Sequence, residues 1–294
     1  MTSQVMARPC APSIIRDMSL AKSRTPQPLP LRPDADIGAM LRHWRAARRF
    51  SQLELSLEAD VSSRHLSYVE TGRSRPSREM VLRLADALEV PLRERNALLV
   101  AAGFAPGYYE TSLAAPEMAQ MRRAIELMLR QQQPFPAFVL DRYWNILMAN
   151  DAAPRCTRFF LGAEPTETNM LRLCLHPDGL RPAMPNWEET AVDLIRHLHH
   201  QIATSPSDER AKELLAEVLA YAGIPSHWRM RDLAMPPTPL LTTHFRKGDV
   251  ELRFFSTITT FGTPHDVTLE ELRIECSFPA DESTAQTCRD LFST

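Results

Sequence analysis

From Ile37 onward, apolar residues recur three and four apart in short runs, and Gly, Pro, Ser and Asp punctuate them. That pattern predicts a series of short amphipathic helices. Ile37, Met40, Leu41, Trp44 and Ala47 share one face of the first. Ser51 is a good N-cap for a second helix, which places Leu55 and Ala59 together. Ser62 can cap a third, with Leu66 and Val69 inward and Gly72 at its C-terminal stop. Ser77 can cap a fourth, where Val81, Leu84, Ala85 and Leu88 fall at i, i+3, i+4 and i+7. Pro91 breaks it, and a fifth helix runs on to Gly103. These helices, over residues 37–103, suffice for an all-α domain.

After a linker at 104–116 and one more helix, ended by Pro134, the period changes. Apolar residues alternate on both sides of Asp141-Arg142-Tyr143-Trp144, which predicts a hairpin carrying Phe138 and Leu140, then Ile146 and Met148. Helical sequence occupies 187–204 and 208–223. Two strands then flank Lys247-Gly248-Asp249, with Leu252, Phe254 and Ile258 on one face. In a last strand Leu272, Ile274, Cys276 and Phe278 face one way and Arg273, Glu275 and Ser277 the other. Residues 117–294 therefore read as an α+β domain with an antiparallel sheet, so the chain is multidomain. Residues 1–36, rich in Pro, Arg and Ser without a period, read as a disordered tail.

A length of 294 residues and a hydrophobic content of 44% agree with two globular domains. The five cysteines include no Cys-x-x-Cys pair, which argues against a structural zinc site or disulfide framework and for reduced thiols in the cytoplasm. No window approaches the roughly 18 apolar residues of a membrane span, and the N-terminus lacks an apolar signal core. Charge divides unevenly. Residues 1–103 hold 16 Lys and Arg against 11 Asp and Glu, while the remainder holds 18 against 25. Only the first module is suited to a polyanion.

The second and third helices are separated by Asp60-Val61-Ser62 alone, the spacing of a helix-turn-helix whose second helix can enter a DNA major groove. Opposite Leu66 and Val69, the third helix presents Ser63, Arg64, Ser67 and Tyr68. Arginine can donate two hydrogen bonds to guanine, and serine and tyrosine can reach base edges or phosphates. Arg73 and Arg75 follow where phosphates would be held, and His65 reads as a surface or phosphate-contacting residue. A helical module that binds protein instead of DNA is the alternative. The polar, partly cationic face argues against it.

Ser51-Gln52, Leu55, Ala59, Val61-Ser62, Leu66-Ser67, Val69-Glu70 and Gly72 together resemble the helix-turn-helix of phage-repressor (XRE) regulators. The resemblance implies that Gln52 touches the DNA backbone and that Arg45 pairs with Glu70. Ser62 completes the DNA-facing set. Two positions depart from the pattern: Ser56 replaces the usual alanine and Asp60 the usual turn glycine. Asp tolerates left-handed backbone better than most residues, so the turn is expected to survive.

In the second module, "VLDRYWNILMAN" resembles the first hairpin of PAS sensor domains, with Asn150 after the second strand. From about Ile37 to Phe292 the chain is similar to MmyB-like regulators, an XRE helix-turn-helix followed by a PAS-like ligand-binding domain. "NMLRLCLHPDGLRP" and "FFSTITTFGTPHDVTLEELRIECSFPAD" carry that likeness. It implies a pocket for an acyl chain such as a fatty acid. The candidate wall is Phe138, Leu140, Ile146, Met148, Leu252, Phe254, Ile258, Leu272, Ile274 and Phe278, although any of these could be ordinary core. Arg253 and Arg273 could pair with a carboxylate head, yet alternation turns both toward solvent.

Catalytic signatures are thin. "LHPDGL" is explained by turn chemistry, and His197, His199 and His200 read as a solvated helix face. Phosphate-loop, nucleophile-elbow and His-Glu-x-x-His motifs are missing, so an enzyme, a metal and a cofactor are not expected. The expectation is a cytoplasmic DNA-binding regulator, a homodimer on an inverted repeat, that senses a small apolar ligand. The alternative is a C-terminal domain that only dimerises or recruits a protein partner.

Overall fold

The computed structural model describes residues 36–205, 208–226, 228, 240 and 242–293, so the expected tail, apart from Asp36, lies outside the described residues. Two compact units emerge. One runs to Arg122 and takes in Thr260–Leu272; the other comprises Arg123–Thr259 and the chain from Arg273 onward.

The first unit holds α1 (Ile37–Ala47), α2 (Gln52–Glu58), α3 (Ser63–Glu70), α4 (Arg78–Ala87) and α5 (Leu92–Ala101). Ser51, Ser62 and Ser77 accept the backbone N–H groups of Glu54, His65 and Met80, as capping residues should. Glu54 returns the bond to Ser51 N–H at 2.7 Å and completes a capping box. Leu41, Trp44, Leu55, Leu66, Val69, Val81, Leu84 and Leu98 fill the core. Asp60 takes φ 49° in the α2–α3 turn, and Gly72 takes φ 73° after α3.

Further along lie α6 (Ala119–Gln131), β1 (Ala137–Leu140), β2 (Ile146–Ala149), α7 (Ala152–Leu161) and α8 (Met170–Leu175). They are followed by α9 (Trp187–Thr204), α10 (Glu209–Leu219), β3 (Thr243–Lys247), β4 (Val250–Thr259), α11 (Val267–Glu271), β5 (Arg273–Pro279) and α12 (Glu282–Phe292). The five strands form one antiparallel sheet in the order β2-β1-β5-β4-β3. Its apolar helical layer includes Phe160, Leu171, Trp187, Ile195, Leu198 and Leu214, which cluster with Leu140, Leu252 and Phe254. The hairpin turn is built on Asp141, whose carboxylate accepts the N–H groups of Tyr143 and Asn145 at 2.8 and 2.9 Å. Asn150, 4% exposed, accepts from Ala137 N–H and Ala153 N–H and donates to Phe135 O, tying strand β1 to α7.

The Thr260–Leu272 excursion, between β4 and β5 in sequence, folds with the first unit. Pro91 has no side chain able to cap α5. Glu270 takes that role, accepting Leu92 N–H at 2.7 Å. Arg93 grips Glu271 at 2.7 and 2.9 Å and Glu110 at 2.6 and 3.0 Å. Val267 N–H reaches Tyr109 O at 2.8 Å, and Asn96 accepts from Gly107 and Tyr108 N–H. The 104–116 stretch is thus tied down along α5.

Candidate DNA-reading helix and ligand-domain sheet

On α3, Leu66, Val69 and Glu70 are buried, and Ser63 and Arg64 are exposed. Arg64 Nε donates to the Tyr68 hydroxyl at 3.0 Å, and its guanidinium stands 5.4 Å over the Tyr68 ring. The two side chains form one ordered projection on the solvent side, which lowers the entropy lost when Arg64 makes a contact. His65 Nε2 lies 3.3 Å from Ser74 Oγ, and Arg73 and Arg75 are exposed beyond the helix.

Beneath that face, Glu70 is 1% exposed and takes a bidentate bond from Arg45 at 2.7 and 3.0 Å. Gln52 Nε2 adds a third at 2.6 Å. Burial pushes the Glu70 carboxyl up, but the hydrogen bonds from Arg45 and Gln52 outweigh it and hold the group below the usual carboxylate range. Gln52 therefore serves as a bracket between α2 and α3 in this state. Ser56 is buried and satisfies its hydroxyl by donating to Leu53 O at 2.8 Å, which explains how it stands where alanine is usual.

Directly paired residues of antiparallel strands share a face, so the register sorts the expected ligand wall. Ile258 pairs with Glu275, Phe138 with Glu275, and Leu140 with Arg273 and with Ile146. Phe138, Leu140, Ile146, Leu252, Phe254 and Ile258 consequently line one face. Met148 pairs with Val139, and Val139 with Ile274, while Phe278 pairs with Phe255 and stacks on it at 5.6 Å. Met148, Ile274 and Phe278 thus belong to the opposite face. A register shift between Val139 and Leu140 separates Met148 from Ile146. Leu272 lies in the excursion that folds with the first unit.

The same register corrects Arg273. It turns toward α9, where Nη2 donates to Gln201 Oε1 at 2.6 Å and to Arg142 O at 3.3 Å, with the guanidinium 4.8 Å over the Trp144 ring. The alternation of β5 was legible, but a strand paired on both sides does not reveal which of its faces the main helical layer covers. Arg253 is exposed and bonded to Glu251 at 2.8 Å.

A family model described as the MmyB-like transcription regulator ligand binding domain matches residues 121–291. A second, a helix-turn-helix domain, matches residues 36–98. The chain belongs to the MmyB-like transcription regulator family. As a member, this MmyB-like regulator is a DNA-binding transcription regulator with a ligand-binding domain, and it is not an enzyme. Comparison with curated proteins returned no match. Among the described residues, no helix is long and apolar enough to cross a membrane.

Other sites of the regulator have plain structural roles. In "LHPDGL", Asp178 N–H donates to His176 Nδ1 at 3.1 Å, and a Cβ on Gly179 would stand 2.2 Å from Leu173 O. His197, His199 and His200 are exposed along α9, with the His199 ring edge-on to Trp228 at 5.1 Å. One group escaped notice in the sequence. Trp144 is 2% exposed with φ 64°, and its Nε1 meets no acceptor among the described residues. Left-handed backbone at a bulky residue costs about 1–3 kcal/mol, and an unsatisfied buried donor a further 1–3 kcal/mol or so.

Proposed function

We propose that this regulator reads an operator through α3, with Ser62, Ser63, Arg64, Ser67 and Tyr68 toward the bases and Gln52, His65, Arg73 and Arg75 toward phosphates. The carrying observation is the ordered Arg64–Tyr68 pair on the solvent side of a helix whose other side is fastened by Arg45, Gln52 and Glu70. A single helix covers a few base pairs, so the protein acts as a cytoplasmic homodimer on an inverted repeat, half-sites about one helical turn apart. The PAS-like C-terminal domain senses a small apolar molecule of fatty-acid type along the face carrying Phe138, Leu140, Ile146, Leu252, Phe254 and Ile258. Ligand alters DNA affinity by binding two arrangements unequally.

Two variants test the DNA reading. Arg64→Ala relaxes sequence preference, with a loss of about 1–3 kcal/mol confined to the cognate site. Arg73→Ala weakens binding to all sequences and flattens the salt dependence by about one unit of slope. Cognate binding that survives Arg64→Ala intact refutes this assignment of α3. For the ligand, native mass spectrometry of freshly purified protein with organic extraction is decisive. A stoichiometric acyl compound supports the sensor. A bare protein indifferent to a fatty-acid panel favours a domain that only holds partners together.

A further inference from the structure

Strand β4 runs for ten residues against five in β3. Thr243–Lys247 cover Val250–Phe254, while Phe255–Thr259 pair with β5 on one side only, among the described residues. The bonds of β5 show which way those residues turn. Ser277 N–H donates to Pro136 O at 2.9 Å, toward β1, and Ala280 N–H donates to Arg253 O at 2.8 Å, toward β4. Backbone groups alternate in direction along an antiparallel strand, so Phe255 and Thr257 turn theirs to β5. Ser256 and Ile258 turn theirs outward, where no strand among the described residues meets them.

Elsewhere the sheet edges are engaged. Asn186, just before α9, accepts His244 N–H at 2.9 Å and donates to Thr242 O at 2.6 Å alongside β3. On β2, Ile146 N–H donates to Thr168 O at 2.7 Å. The unpaired stretch of β4 is exposed from Ser256 to Thr259, and Ile258 keeps 45% of its surface in water. Its Phe-Ser-Thr-Ile-Thr sequence favours a strand, and it carries none of the lysines or prolines that guard open edges. The strand that fits this edge best is a second copy of it. In an antiparallel pair with Thr257 on a two-fold axis, Ser256 of each copy stands opposite Ile258 of the other. Both residues turn N–H and C=O outward, so the copies exchange backbone bonds at both pairs. Thr257 then faces its own counterpart at about 4.5 Å between Cα atoms, a favoured cross-strand pair. The stretch Phe255–Thr259 holds no charged residue, so no repulsion opposes the pairing. Such a contact is isologous, and its two-fold is the symmetry that an inverted repeat asks of a dimer.

We propose that Phe255–Thr259 is the dimer contact of this regulator, and that it joins the sheets of two copies edge to edge across Thr257. This rests on the homodimer reading above and gives that dimer a defined surface and register.

The test is sedimentation equilibrium of the full-length protein with two variants at the position on the axis. Thr257→Lys and Thr257→Glu each set like charges directly opposite one another, and each weakens self-association at least threefold. An equimolar mixture of the two recovers it, because lysine then faces glutamate. Thermal melting identifies a variant that has lost its fold. Ser256→Pro, which deletes an outward N–H and leaves the bonds to β5 in place, then carries the comparison and weakens the dimer by at least as much. Variants that associate like the unaltered protein, or a mixture no tighter than its parts, overturn the edge contact and leave the homodimer standing. An unaltered protein that stays monomeric at every concentration overturns the two together.

Discussion

Gly38 shows how one residue can set the distance between two helices. A Cβ there would stand 2.5 Å from Glu70 O and 2.8 Å from Val69 O, so α1 meets the backbone of α3 directly. Gly38→Ala is expected to drive the helices apart and cost about 1–3 kcal/mol, as overpacking does. Chemical denaturation checks it, and an unchanged midpoint would show that α1 slides without loss. The sequence did not disclose this role, because a glycine in an amphipathic run carries no record of what faces it. Asp60 was easier: a turn of three residues demands unusual backbone, and φ 49° agrees. Trp144 was the reverse case. A tryptophan at a hairpin turn looks like core, and only the fold reveals a donor that meets no acceptor among the described residues.

At the scale of elements, what local chemistry decides was legible. Serine caps, a capping box, Gly72 and the Lys247-Gly248-Asp249 turn all act within a few residues, and the elements they bound fell where they were expected, whereas α7 and α8 were not anticipated. What depends on partners was not. The face of β5 that meets α9 is set by strands distant in sequence. Helix α11, five residues long, announces itself only through Asp266, which accepts Thr268 N–H at 2.8 Å. Its attachment turns on Arg93, 13% exposed and bonded to both Glu271 and Glu110. Arg93→Ala is expected to cost about 1–3 kcal/mol, between an exposed and a buried pair. Amide hydrogen exchange should quicken at Leu92 and Val267, while α3 stays protected. Unchanged exchange at both would mean that Glu270 and the Tyr109 contact suffice.

For the whole molecule, the uneven charge and the change of period located two modules with different work, and the helix-turn-helix and ligand-domain family matches agree with that division. The sequence could not show that the modules are not consecutive. Thr260–Leu272 falls inside the stretch matched to the ligand-binding domain, yet it completes the unit that contains α3. The helix-turn-helix cannot therefore be exchanged between relatives by cutting the chain once. A hybrid joined near Arg122 would give a foreign α5 the excursion of another protein, with Glu271 seeking an arginine that need not be there. Inheritance of the two parts is coupled, and substitutions at Arg93 should be tolerated only alongside a matching change at Glu271, 178 positions downstream.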